Sequence, residues 1–244
     1  KPFLGKTDAY TVPNENYIPV HGSITAAEDK TLSFTLTYAG EGWDGTTKTA
    51  PKTENGVYQI GTAAELAWFA DAVNGGQRDI SAKLTANINL NGKTWTAIGT
   101  ESNKFAGTLD GDSHTVSGLV TTGLVGELAE GGVVENLRVN CAIVSTSSLL
   151  GGVANSSAGT IRNCMVSGSI TFSSNGPNAA LAIGGIVGRT TGNSVISGCV
   201  SRAVVKDAYD NSTYGTTAPL GGITGYAHGV VENCYFTGTL AVKK

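Results

Sequence analysis

Charge, aromatic rings and histidine are all scarce in this chain. Asp, Glu, Lys and Arg make up 14% of its 244 residues, and the formal net charge is −3. A nucleic-acid-binding face needs clustered Lys and Arg, so no nucleic-acid partner is expected. The three histidines, His21, His114 and His228, are scattered, and none lies in a His-Glu-x-x-His motif. A metalloprotease centre of that type is therefore absent from this stretch. The four cysteines form no Cys-x-x-Cys pair and have no histidine nearby, which argues against zinc. No apolar run approaches the ~20 residues of a membrane-spanning helix. What is abundant is glycine: 34 residues without a Gly-X-Y period, which excludes collagen. The rest is rich in Val, Ile, Leu, Thr, Ser and Asn, a composition suited to short strands and tight turns.

The glycines fall into a repeat. Four times the chain reads glycine, two mostly apolar residues, then Gly or Asn: at 123–126, 152–155, 185–188 and 222–225. Each is followed by a second motif: Val134-Glu135-Asn136-Leu137, Ile161-Arg162-Asn163-Cys164, Ile196-Ser197-Gly198-Cys199 and Val231-Glu232-Asn233-Cys234. The second motif recurs after 27, 35 and 35 residues, the signature of a stacked repeat. Alternate residues after it are mostly apolar or small, for example Leu137, Val139, Cys141 and Ile143, so each motif opens a strand with one inward face. Asn136, Asn163, Gly198 and Asn233 share one position, and both residue types tolerate left-handed backbone. That position reads as a bend, with a ladder of amides. Leu137, Cys164, Cys199 and Cys234 form the adjacent inward column. Two readings of these cysteines stand open: a stack of small core residues, or a bridge between stacked neighbours, which would lie within the Cα range of a disulfide.

Residues 1–45 lack the repeat and read as a small all-β module or the tail of a preceding domain, with strands expected at 31–38 and, less regularly, 9–18. Residues 46–56 read as a linker, and 57–244 as the repeat unit. Thr62-Ala63-Ala64-Glu65 fits a capping box, and Leu66, Phe69, Ala70 and Val73 follow at helical spacing. A single helix placed just before a stack can cover its open end. The chain starts Lys1-Pro2-Phe3-Leu4 and finishes Val242-Lys243-Lys244, and both ends read as cuts in a larger, monomeric polypeptide.

Gly123-Leu124-Val125-Gly126 resembles the motif of the GLUG repeats. Tyr58 to Ala70, the Leu84–Leu90 stretch, Trp95 to Gly99 and Phe105 to Gly111 are similar to the segment preceding such repeats in surface proteins. The resemblance covers about Val57 to Val242. It implies an all-β fold, a right-handed parallel β-helix with an N-terminal capping α-helix. It also implies an extracellular or cell-wall-attached bacterial location, in proteins that include IgA-cleaving metalloproteases and adhesins. Asn155 and Gly198 depart from the usual Gly and Asn.

Chemistry is sparse. Asp110, Asp112, Glu127, Glu130, Glu135, Asp207, Asp210 and Glu232 are the carboxylates a β-helix lyase or glycosidase would draw on, but a hydrolase needs two across a cleft. Asp110-Gly111-Asp112 reads as a turn, and no phosphate loop or Ser-His-Asp set is present. No catalytic residue, metal or cofactor is expected. The spacing from strand end to next glycine grows from 9 to 15 to 17 residues, so one corner carries insertions. The last of these holds Asp207, Tyr209, Asp210, Asn211 and Tyr214, a mixture suited to contacting a sugar or protein. Three functions follow as expectations: a non-catalytic surface stalk or adhesion module binding a host glycan or surface protein, a carbohydrate-active enzyme, or an accessory module of a secreted metalloprotease.

Overall fold

The computed structural model describes residues 7–12, 20–25, 42–173, 182–208 and 219–242. The chain divides into two units, 1–42 and 43–244. In the first, Thr7–Val12 pairs antiparallel with Val20–Thr25, so that Thr7 faces Thr25 and Val12 faces Val20. The strand expected at 31–38 lies outside the described residues.

The second unit is all-β apart from one helix, and its strands form parallel sheets. The first sheet runs through Val57–Ile60, Ser81–Leu84, Thr108–Asp110, Val133–Glu135, Thr160–Arg162, Val195–Ser197 and Val230–Glu232. The second contains Ile88–Asn89, Thr115–Leu119, Arg138–Ser145, Met165–Phe172, then Val200–Ser201 with Val204–Asp207, then Tyr235–Phe236 with Thr239–Val242. The third contains Val125–Leu128, Ala154–Ser157, Val187–Thr190 and Thr224–Tyr226. A short ladder of Leu149–Gly151, Ala182–Gly184 and Leu220–Gly221 completes the circuit. Each repeat visits ladder, third sheet, first sheet and second sheet in that order. It then returns one strand spacing, about 4.8 Å, further along. Register is kept from coil to coil: Val134 faces Ile161, Ile161 faces Ile196 and Ile196 faces Val231.

The core follows from the period of two. In Arg138–Ser145 the residues alternate outward and inward, with Val139, Cys141 and Ile143 buried. The glycine motif explains itself through its neighbours. A Cβ on Gly185 would lie 2.1 Å from the Ser201 hydroxyl, and one on Gly222 2.1 Å from the Phe236 ring. The strand residue two places after the Cys column therefore fills the space that glycine leaves at the corner of its own coil.

The helix, Ala63–Asn74, has the expected capping box: the Glu65 N–H donates to Thr62 Oγ1 at 3.2 Å, and the Thr62 N–H donates to Glu65 Oε2 at 3.0 Å. Its face of Leu66, Phe69, Ala70 and Val73 is buried in the core of the first coils, and Phe69 meets Phe105 edge-on with ring centroids 5.8 Å apart. Residues 46–56 are not a free linker. Lys52–Glu54 forms an antiparallel hairpin with Val57–Ile60. Asn55 (φ 51°) and Gly56 (φ 80°) supply the two left-handed residues that a tight hairpin turn needs. Thr49 also donates its N–H to the Ala64 carbonyl in the helix.

The last coil is covered on one side only among the described residues. Val231 is 39% exposed and Leu240 46%, whereas their counterparts Val134 and Ile143 are fully buried. Val134→Ala is therefore expected to lower the unfolding free energy by about 2–3 kcal/mol. Val231→Ala, the same chemical change at the same repeat position, is expected to lower it by about 1 kcal/mol or less. Urea midpoints measure the difference, and equal losses would show that the last coil is covered in solution.

Candidate functional site

The repeat concentrates its polar chemistry at the corner between the first and second sheets. Asn136, Asn163 and Asn233 have φ of 51°, 53° and 52°, and Gly198 has 61°. All four hold the left-handed turn that sends the chain from one sheet to the next, where only Gly, and Asn or Asp with their short polar side chains, sit without large strain. The amides stack. Asn163 donates from Nδ2 to Asn136 Oδ1 at 3.3 Å, and Asn136 donates to Asp110 Oδ1 at 3.0 Å. Asp110 also accepts the Asp112 N–H at 2.9 Å, so the first acidic residue of Asp110-Gly111-Asp112 ends the ladder and shapes a turn. Gly198 leaves one rung empty before Asn233. Beside this corner Ser113, Asn136, Arg138, Asn163, Met165 and Val200 line a shallow groove of about 300 Å³. Arg138, Met165 and Val200 were not singled out in the sequence. They are the outward neighbours of the inward column, and the period of two places them there.

One residue on, Leu137, Cys164 and Cys199 are buried and Cys234 is half-buried at the open coil. All four cysteines, Cys141 included, are free thiols. Each of the three stacked thiols points at two carbonyls, one in the strand just before it in its own coil and one in the coil before. Cys164 Sγ lies 3.3 Å from Arg162 O and 3.7 Å from Val134 O, and Cys199 Sγ lies 3.3 Å from Ser197 O and 3.6 Å from Ile161 O. Cys234 Sγ repeats this at 3.2 Å from Glu232 O and 3.6 Å from Ile196 O. The thiols also interact with one another. Hydrogen bonding between the Cys164 and Cys199 thiols, followed by burial, pushes the Cys164 thiol well above its ordinary value. The same bond holds Cys199 below its ordinary value. Burial pushes Cys234 up, and pushes Cys141 up to about 12.

Three outward carboxylates of the coils lie against cations. Glu135 stands in register with Arg162, Ser197 and Glu232, and Arg162 Nε reaches Glu135 Oε2 at 2.6 Å. Asp112 meets Lys83 at 3.1 Å, and Glu127 meets Lys104 at 3.8 Å. Among the described residues, no group of three or more His, Cys, Asp or Glu is arranged to hold a metal, and no helix is long and apolar enough to cross a membrane. Of the loop residues, Tyr209, Asp210, Asn211 and Tyr214 lie outside the described residues. Asp207 is not in the loop: it is the last residue of Val204–Asp207, 4% exposed, paired in register with Phe172 and Val242. Since Val205 points inward, the period of two turns Asp207 inward as well.

Comparison with known proteins fits this geometry. Residues 220–241, the last coil, match the model of the GLUG motif, so the chain carries that motif. Halomucin of Haloquadratum walsbyi is 34% identical over 205 residues, 73% of this chain and 2% of halomucin. A solved structure from Bacteroides ovatus, of a protein assigned provisionally as an immunoglobulin A1 protease, aligns with a TM-score of 0.62 and 21% identity. That alignment covers 79% of this chain and 63% of the Bacteroides chain, and at such identity the likeness is one of fold. The chain thus spans a very small part of one relative and less than two thirds of the other.

The asparagine corner makes a distinct prediction. Asn163→Gly keeps the left-handed turn and loses only the amide rung, so it is expected to cost about 1 kcal/mol or less. Asn163→Ala loses the rung and also places a Cβ at φ 53°, adding roughly 1–2 kcal/mol. Urea unfolding of the two variants reads the order; Ala at least as stable as Gly would mean that backbone handedness is not what the position requires.

Proposed function

We propose that this chain is a non-catalytic stalk or adhesion module, built as a right-handed parallel β-helix and displayed outside the cell or on its wall. In this reading the coils are a rigid spacer, and any glycan or surface protein is held by the insertions between strand and glycine motif. The observation that carries it is what repeats. The positions kept from coil to coil are the corner amides, the glycines and the inward column, and each is occupied by a packing or hydrogen-bonding role. What varies is insertion length, and in repeat proteins the variable insertions line one face, often the binding one. The GLUG motif and the likeness to halomucin support a surface-associated module.

A second reading, an accessory module of a secreted protease, is favoured by the likeness to the Bacteroides protein. Linking the module to a larger chain would leave its own coils without catalytic work in either case.

A glycan array, with a parallel screen for lyase and glycosidase turnover, tests the proposal. Saturable binding without turnover is expected. Tyr209→Ala with Tyr214→Ala is expected to reduce that binding at least tenfold while leaving the urea midpoint unchanged. Turnover that is lost on replacing a carboxylate would overturn the reading. Saturable binding that survives the double tyrosine change would place the contact elsewhere on the coils.

A further inference from the structure

The ladder of corner amides has a direction and one gap. Asn163 donates from Nδ2 back to Asn136 Oδ1, and Asn136 donates back to Asp110 Oδ1, so each amide gives its hydrogen to the coil before it. Asn163 Oδ1 is thereby left as an acceptor for the coil that follows. It lies over Gly198, where an added Cβ would be 2.7 Å away. Gly198 holds the left-handed turn at φ 61° but has no amide to give. One coil further on, Asn233 holds the same turn at φ 52°. The Asn163 N–H donates to Ser197 O and the Gly198 N–H to Glu232 O, which keeps the three corners stacked. Among the described residues neither Asn163 Oδ1 nor the Asn233 amide has a hydrogen-bond partner. Asn163, Gly198 and Asn233 are all exposed.

We propose that this gap, with the groove beside it, is a binding site for the acetamido group of an N-acetylated sugar. Rungs of the ladder are about 4.8 Å apart, the spacing of the strands. A secondary amide carries its N–H and C=O on opposite sides. It therefore relays a hydrogen bond across one rung, as the backbone amides of stacked strands do at the same spacing. In the gap the ligand N–H donates to Asn163 Oδ1, and the ligand carbonyl accepts from Asn233 Nδ2. Both bonds continue the direction of the ladder. The groove supplies the rest. Val200 is in register with Met165, and Met165 with Arg138. Met165 and Val200 are half-buried and give the acetyl methyl an apolar wall. Arg138 is exposed and uses Nη1 to donate to Ser113 O at 2.7 Å, which leaves further N–H groups for ring hydroxyls.

A peptide matches the site less well, although it too carries secondary amides. It brings an N–H and a C=O at every residue, and covering them without partners is costly. The ladder leaves one acceptor and one donor, a single rung apart from each other and from nothing else unpaired in the column. A sugar brings one amide, and its remaining hydroxyls stay in water. The groove, about 300 Å³, suits one ring with its acetyl group. The site lies on the coils themselves, apart from the insertions that carry the adhesion reading, and it does not rest on that reading.

The gap can be closed from within, which makes the test direct. Asn suits the left-handed turn at position 198 as it does at 136, 163 and 233, so Gly198→Asn completes the ladder and removes the site. The full chain is titrated by saturation-transfer NMR with methyl N-acetylglucosaminide, with methyl glucoside, and with a blocked dipeptide carrying the same kind of amide. Transfer to the N-acetylated sugar is expected, strongest at the acetyl methyl, with little to the glucoside or the dipeptide. Gly198→Asn is expected to weaken that binding at least tenfold, the order that losing two hydrogen bonds implies, with a urea midpoint no lower than that of the unmodified chain. Asn163→Gly, which keeps the turn and removes the acceptor, is expected to weaken it as well and serves if Gly198→Asn does not fold. No transfer to the N-acetylated sugar, equal transfer to the glucoside, or binding unchanged in the folded variant would each overturn the proposal. A dipeptide that binds as well as the sugar would overturn it in favour of a peptide ligand. The chain with Tyr209→Ala and Tyr214→Ala is expected to bind the N-acetylated sugar undiminished, so this site and the adhesion reading fail separately.

Discussion

The constraint on which everything else depends is that each coil must hydrogen-bond in parallel register to the coil before it. A one-residue slip would turn every inward side chain outward, so where the register does shift, between Asn140 and Cys141 opposite Ser117 and Leu119, the extra residue Gly118 is taken up as an irregularity and Leu119 stays buried. Once the register holds, a residue is answerable to its counterpart in the next coil as much as to its neighbours in the chain. Like must stack on like, which is why Val134, Ile161, Ile196 and Val231 form one column and the corner residues another. The same constraint fixes the glycines. A Cβ on Gly152 or Gly185 would lie 2.9 or 2.1 Å from the carbonyl oxygen of Gly185 or Gly222 in the next coil, and on Gly152, Gly185 and Gly222 it would also meet Val166, Ser201 and Phe236 of the same coil.

Departures from the repeat obey the same logic. Asn155 stands where the other motifs end in glycine. Its Oδ1 accepts from the Gly123 and Gly151 N–H groups at 3.3 and 3.4 Å, and its Nδ2 donates to Thr122 at 2.8 Å. The longer side chain thus ties two coils together at the corner. Gly198 does the reverse. It keeps the left-handed turn and drops the amide, and a Cβ there would lie 2.7 Å from Asn163 Oδ1. The turn is therefore the stricter requirement at this position and the amide ladder the looser one.

Much of this was legible in the sequence because repetition supplies its own controls. The capping box of the helix, the inward strand residues and the bend at Asn136, Asn163 and Asn233 were each readable from residue type and spacing. What escaped lay where composition was read ahead of pattern. Residues 46–56 are rich in Thr, Lys and Gly and read as a linker, yet Asn55-Gly56 between two short runs is the signal of a hairpin. Asp207 falls in the loop when the strand is ended at Val205, although it continues the alternation of Ala203 and Val205 and so faces inward. The groove-lining Arg138, Met165 and Val200 were hidden for another reason. Outward positions carry no shared residue type, and only the stacking of coils brings them side by side.

Among the described residues the first and last coils are packed differently. The helix inserts Leu66, Phe69 and Val73 into the first coils, and the Lys52–Ile60 hairpin adds an antiparallel strand outside them. At the other end, Tyr235, Leu240 and Val242 are exposed, and Cys234 is the least buried of its column. In a stack where each coil rests only on its neighbours, stability is roughly a sum of nearest-neighbour terms. A coil packed on both faces is then held by two such terms. The interior coils hold the same groups at the same positions, but locked between neighbours. Burial at a repeat position is therefore set less by residue identity, which repeats, than by whether the coil packs on both faces among the described residues.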